Sequence, residues 1–276
     1  MIHIVCALYQ EAHFLITHYQ LKKRNDFHRL QVFENTERGL RVLVTGVGML
    51  RAAMAVSIAT ERLKVAEHDL LWNIGSCAAS FEASPGTVFL CNKLIEEPTG
   101  CTFYPDILYR HPFEERAVVS RMTPMTGEPE PGLLYDMEAS GVYQAGISDY
   151  GPHRMLFIKV VSDYGKGTPD ATALQCLMDE AGETILPFLE RFLSFHAGQE
   201  QSATGQTEEE WEQRLVRDLH CSVTMEHELM QLLRYCALAD RNVRDELERD
   251  YGQGVLPCRS KREGKQYLEK LKAGLF

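Results

Sequence analysis

No apolar run in this 276-residue sequence approaches the roughly 18–20 residues that a membrane-spanning helix requires. The opening stretch MIHIVCALYQEAHF carries no charged segment ahead of its apolar residues, and His3 interrupts them. It therefore reads as a first strand rather than a secretion signal, which points to the cytoplasm. The eight cysteines (Cys6, Cys77, Cys91, Cys101, Cys176, Cys221, Cys236 and Cys258) form no CxxC pair and have no His-rich partner spacing. Reduced, mostly buried thiols are expected, with no metal and no cofactor. Internal repeats and low-complexity tracts are also absent.

Basic charge is in short supply. The net charge is −10. Residues 1–207 hold 25 acidic and 17 basic side chains, and residues 208–276 hold 14 and 12. An acidic main body repels a polyphosphate backbone, so neither nucleic acid nor membrane is an expected partner. Six basic residues against two acidic ones lie between Arg259 and Lys272, which reads first as a solvated helix end.

What the chain does have is an ordinary hydrophobic fraction of 45%, enough for a filled core. Short apolar runs alternate with amphipathic segments. Strands are expected at Ile2–Leu8, Leu30–Glu34, Arg41–Thr45, Leu70–Ile74, Thr87–Leu90, Ala117–Ser120 and Met155–Ser162. Helices are expected at Glu11–Lys22, Met49–Lys64, Met137 to about Ser148, and Ala171 to Phe195. The proline-rich stretch 96–131 reads mainly as loop. The alternation predicts an α/β fold of three layers, α/β/α, with a central mixed sheet. The polar segment 197–207 reads as a linker, and Thr207 with Glu210 has the form of a capping box. Residues 208–276 then read as a helical extension, leaving 1–196 as the main domain.

Four separated segments place polar residues at the C-terminal ends of expected strands, where ligands gather in open α/β sheets. They are Glu11, Asn73-Ile74-Gly75-Ser76, Asp136-Met137-Glu138 and Ser162-Asp163. Singly, each has a plain structural account, as a first-turn acid or a turn cap. Their joint occurrence on one scaffold is the informative feature.

Five stretches, IVCALYQEAHFL, VLVTGVGMLRAAMA, LLWNIGSCAAS, YDMEASGVYQAG and FIKVVSDYGKG, resemble the nucleoside phosphorylase/nucleosidase superfamily. The resemblance is strongest to its methylthioadenosine/S-adenosylhomocysteine nucleosidase branch and runs from residue 2 to about 195. It implies that Glu11 orients and deprotonates an attacking water and that Asp163 donates a proton to N7 of a departing purine. Met137 and Glu138 would then lie beneath the ribose and bind its hydroxyls, with Ser76 near the water. It further implies a homodimer, with Ala52–Ile58 and Val142–Ile147 as contact segments. Lys159 stands where the family has an arginine and is taken as a substrate-binding charge. Ala78-Ala79 replaces two glycines, and the segment between Ser120 and Asp136 is shorter than in the family.

The chemistry accords with these roles. Cleaving an N-glycosidic bond builds positive charge on the sugar and negative charge on the base, so an acid at one side and a carboxylate at the other relieve both. One carboxyl must stay protonated while another stays ionised, and Asp163, after a buried strand, is the expected raised member. A phosphate nucleophile needs arginines or a glycine nest, and Cys6–Phe14 offers an acid and no arginine. Hydrolysis of a purine nucleoside is the leading reading. Phosphorolysis, and a catalytically weak nucleoside- or partner-binding protein using the extension, remain open.

Overall fold

The computed structural model describes residues 1–27, 30–66, 68–167, 170–202, 208–238 and 243–275. The chain divides into two compact units, Met1–Gln199 and Glu200–Phe276. Every strand among the described residues lies in the first.

That unit follows the order β1 (Ile2–Cys6), α1 (Tyr9–His18), β2 (Lys22–Lys23), β3 (Gln31–Asn35), β4 (Leu40–Val44), α2 (Met49–Leu63) and β5 (Leu70–Ala79). It continues through β6 (Val88–Glu96), β7 (Thr102–Phe103), β8 (Glu114–Ser120), β9 (Leu133–Asp136), α3 (Ala139–Tyr150), β10 (Met155–Asp163) and α4 (Ala171–Ser202). The sheet order is β10-β6-β8-β9-β5-β1-β4-β3-β2, and β10 also pairs with β5. One half of the mixed sheet thus closes on itself as a small five-stranded barrel, while the other half runs on as an open sheet.

The apolar runs explain the layering. β1, β4 and most of β5 are buried on both faces, as strands covered by helices must be. On one face Trp72, Ile74, Ile158 and Val160 pack with Phe14 and Leu15 of α1 and with Met178, Ile185 and Phe188 of α4. On the other, Leu71, Phe157 and Val161 pack with Ala52 and Val56 of α2 and Val142 and Tyr143 of α3. The result is a three-layer α/β/α architecture.

Several expected boundaries shift. β5 does not stop at Gly75 but runs on to Ala79, because its second half pairs with β10 and β9. β6 extends to Glu96 through its ladder with β8. Asp136-Met137-Glu138 does not open a helix: Leu133–Asp136 is a strand paired in parallel with β8, and α3 starts at Ala139. α4 runs seven residues past Phe195 into the polar segment, carrying Pro187 inside it. Thr207, the expected cap, lies outside the described residues.

The second unit holds α5 (Glu208–Asp218), α6 (Val223–Leu238), α7 (Val243–Gly252) and α8 (Lys261–Leu275). Trp211, Leu215, Leu219, Leu229, Leu247 and Leu268 meet in a core of its own. The Trp211 indole N–H donates to Glu248 at 3.0 Å, satisfying its one polar atom.

Candidate active site

β1, β4, β5 and β10 form one parallel set, so their C-terminal ends lie on the same edge of the sheet. Glu11 stands in the first turn of the helix that follows β1. Gly48 precedes the helix that follows β4, Ser76 lies in β5, and Asp163 ends β10. The topology therefore brings residues from four distant parts of the sequence to one rim.

Glu11 is 2% exposed. One carboxylate oxygen accepts the backbone N–H groups of Ala7 and Leu8 at 2.9 and 3.0 Å, closing the N-terminus of its own helix. The other accepts the N–H and the hydroxyl of Ser76 at 2.8 and 2.7 Å. The first-turn role and the site role are thus carried by the two oxygens of one group. Gly75 packs closely beside it: a Cβ there would stand 3.3 Å from the Glu11 Oε1.

Glu138 sits across from this pair. Its Oε1 accepts the Gly48 N–H at 2.8 Å. Gly48 has φ +113° and Gly46 +82°, conformations that glycine alone adopts without strain, so the Gly-Val-Gly segment is a tight strand-to-helix turn whose amide faces a carboxylate. Burial, and then the neighbouring Asp136 charge, push the Glu138 carboxyl up to about 7. Lys159 pulls it down, and Glu11 adds a smaller repulsion.

Lys159 is enclosed beside Asp136 and Glu138. It is 1% exposed, and its Nζ meets Asp136 Oδ2 at 2.7 Å. Burial opposes its charge, but Asp136 and Glu138 outweigh burial and hold it above the ordinary lysine range. Asp136 also accepts the Ser120 hydroxyl at 2.6 Å and the Ala139 N–H at 2.7 Å, so it caps α3. Met137, half-buried, joins Asp136 to Glu138.

Asp163 is half-buried at the end of β10. Its Oδ1 accepts the Gly165 N–H and its Oδ2 the Ser162 hydroxyl, both at 2.8 Å. The Cys77 thiol is pushed up first by burial and then by Cys91, with Lys159 opposing and Asp136 and Asp163 adding to the rise. Beside Asp163, the rings of Tyr164 and the exposed Phe81 stand 4.4 Å apart, and Lys166 Nζ lies 4.7 Å from the Phe81 ring centre. The shortened segment reaches this turn: the Gly127 N–H donates to Gly165 O at 3.0 Å.

Sequence reasoning missed Ser120, the Gly48 amide, and the pairing of Asp136 with Lys159. A charged strand residue at Lys159 was the available signal for a buried partner, but nothing in the spacing named Asp136.

No protein-family model matches the sequence, and no curated protein matches it. Solved structures do match its fold. The chain shares its fold with solved 5′-methylthioadenosine and 5′-methylthioadenosine/S-adenosylhomocysteine nucleosidases. Among its neighbours is the 5′-methylthioadenosine/S-adenosylhomocysteine nucleosidase of S. pneumoniae with a transition-state inhibitor, at 18% identity and TM-score 0.53, covering 68% of this chain and 97% of that one. The Arabidopsis thaliana 5′-methylthioadenosine nucleosidase, in apo form, is 16% identical at TM-score 0.57, covering 70% and 95%. The Neisseria meningitidis enzyme in complex with methylthio-immucillin-A is 17% identical at TM-score 0.53, covering 66% and 94%.

Proposed function

We propose that this chain hydrolyses the N-glycosidic bond of a purine nucleoside, or of one modified at the ribose 5′ position, releasing free base and sugar without a cofactor. The observation that carries the reading is the bridge from Glu11 Oε1 to the N–H and hydroxyl of Ser76, set on the same sheet edge as Glu138 and Asp163. On this reading a water bound between Glu11 and Ser76 loses its proton to Glu11 as it attacks the anomeric carbon. Glu138 takes the ribose hydroxyls, Met137 supports the sugar, and Asp163 protonates N7 of the leaving purine.

Electrostatics favour water over phosphate. Glu11 and Asp136 are buried carboxyls that bear on Glu138 together with one buried cation, Lys159, and a phosphate dianion entering there would meet uncompensated negative charge. The reading implies a cytoplasmic enzyme that acts on a small molecule rather than on nucleic acid, and that works as a homodimer. No helix among the described residues is long and apolar enough to cross a membrane.

The direct test is release of free base from a panel of nucleosides with and without phosphate. Base release that needs no phosphate is the expected result. Release that depends on phosphate would make the protein a phosphorylase, and no release from any nucleoside would remove the reading.

A further inference from the structure

We propose that Asp136 and Lys159 are a positioning pair: a buried ion pair that holds Glu138 in place and sets its charge state without touching the ligand. The proposal rests on the nucleosidase reading only for what Glu138 then does, which is to bind ribose.

The geometry argues this in three steps. Asp136 is the hub. Its two oxygens accept the Ser120 hydroxyl, the Ala139 N–H, the Lys159 ammonium and, at 3.3 Å, the Glu138 N–H. Ser120 in turn accepts the Ser140 N–H at 3.0 Å, so the end of β8, the end of β9 and the first turn of α3 are tied to one carboxylate. Glu138 leaves that knot with its main chain fixed and its side chain aimed at Gly48.

Second, Lys159 is closed off from solvent and engaged by Asp136. It is 1% exposed, and its register neighbour on β5 is Gly75, the residue packed against Glu11. A buried lysine must be paired, and Lys159 meets Asp136 at 2.7 Å, with the Glu138 charge adding a further attraction.

Third, the groups facing Glu138 from each element around it are few. They are Glu11 from α1, the Gly48 amide ahead of α2, Asp136 from β9 and Lys159 from β10. Two acids and one cation bear on a carboxyl that must be ionised to accept hydrogen bonds from both ribose hydroxyls. Asp136 disfavours that ionised form and Lys159 favours it, so the pair decides at which pH the sugar site becomes competent. With the carboxyl at about 7, the acid limb of kcat/KM should fall near neutrality.

The test uses full-length protein and two readouts. Carbon-13 titration of Glu138 in glutamate-labelled protein, assigned by comparison with Glu138→Gln, requires no substrate. In the wild type Glu138 should titrate near neutral pH. In Asp136→Asn the titration should move down by about one unit or more, because a repulsion is removed while Lys159 stays. The acid limb of kcat/KM should move with it. Lys159→Arg keeps the cation and should leave the titration within about half a unit and KM within about twofold. Reduced activity in Asp136→Asn with an unmoved Glu138 titration would reduce Asp136 to a structural cap and overturn the proposal. A tenfold rise in KM at constant kcat in Lys159→Arg would make Lys159 a ligand contact and overturn it as well. Should Asp136→Asn fail to fold, the Lys159→Arg arm alone decides. Loss of the nucleosidase reading would appear separately, as no base release by wild type, with the titration still readable.

Discussion

On the proposed function, Asp163 and Glu11 are the residues whose replacement should separate binding from turnover. Asp163→Asn keeps an acceptor for Gly165 and an amide able to reach N7, but it has no proton to release. Its expected effect is a loss of about 10²–10⁴ in kcat with little change in nucleoside affinity. Glu11→Gln removes the base for the water and should also lower the rate, and the two losses should fall short of adding if both groups act in one step. Single-turnover rates beside equilibrium titration of ligand check both. His3 makes a residue-scale prediction far from this chemistry. Its ring is buried between the Tyr150 hydroxyl, which it contacts through Nδ1, and Arg41 at 3.0 Å, and burial lowers it to about 3. The folded value lies below the unfolded one of 6.5, so the unfolded chain takes up a proton that the native protein refuses. The stability that neutral His3 contributes is present above pH 6.5 and is lost progressively as pH falls towards 3. His3→Gln should flatten the fall of Tm over that range, and thermal melts from pH 7 to 4 measure it.

At the scale of elements, the packing of α2 on α3 decides whether Gly48 meets Glu138. Gly141 allows it: a Cβ there would collide with the Met49 carbonyl, one residue beyond Gly48. Gly141→Ala should therefore force the helices apart, at a cost of about 1–3 kcal/mol in urea unfolding, and raise KM by displacing the Gly48 amide. This contact also shows where the sequence ran out. Helical periodicity marked both helices within a few residues, since each has a strong apolar stripe. It could not show that Asp136 belongs to a four-residue strand, because a run that short has no period to read, and its ladders with β8 and β5 define it. The extra length of β5 was hidden for a related reason. Gly75 and Ser76 look like punctuation in sequence, and it is pairing with β10 that keeps them extended.

For the whole molecule, the expected dimer segments Ala52–Ile58 and Val142–Ile147 present only part of their apolar side chains outward. Ala52, Ala55, Val56 and Val142 are buried within the chain, where α2 meets α3. The apolar residues that α2 leaves outward are Leu50, 69% exposed, and Met54, 64% exposed, one turn apart, with Val47 nearby. A homodimer built on that face should sediment as a dimer at micromolar concentration, and Leu50→Glu with Met54→Glu should leave a folded monomer. Sedimentation showing wild type as a monomer throughout would count against this assembly.

By itself the sequence determined the α/β class, the approximate place of all the longer strands and helices of the first unit, and the candidate residues Glu11, Ser76, Met137, Glu138 and Asp163. Those features are written locally, in apolar periodicity and in polar residues at strand ends. Only the tertiary structure decided that the sheet closes into a barrel on one side and that Glu11 bonds Ser76, 65 residues away. It also decided that Lys159 pairs with the buried Asp136. The reason is physical. A lysine in a strand points to one face or the other by register alone, and whether that face holds water, substrate or a buried carboxylate depends on which distant strand lies alongside.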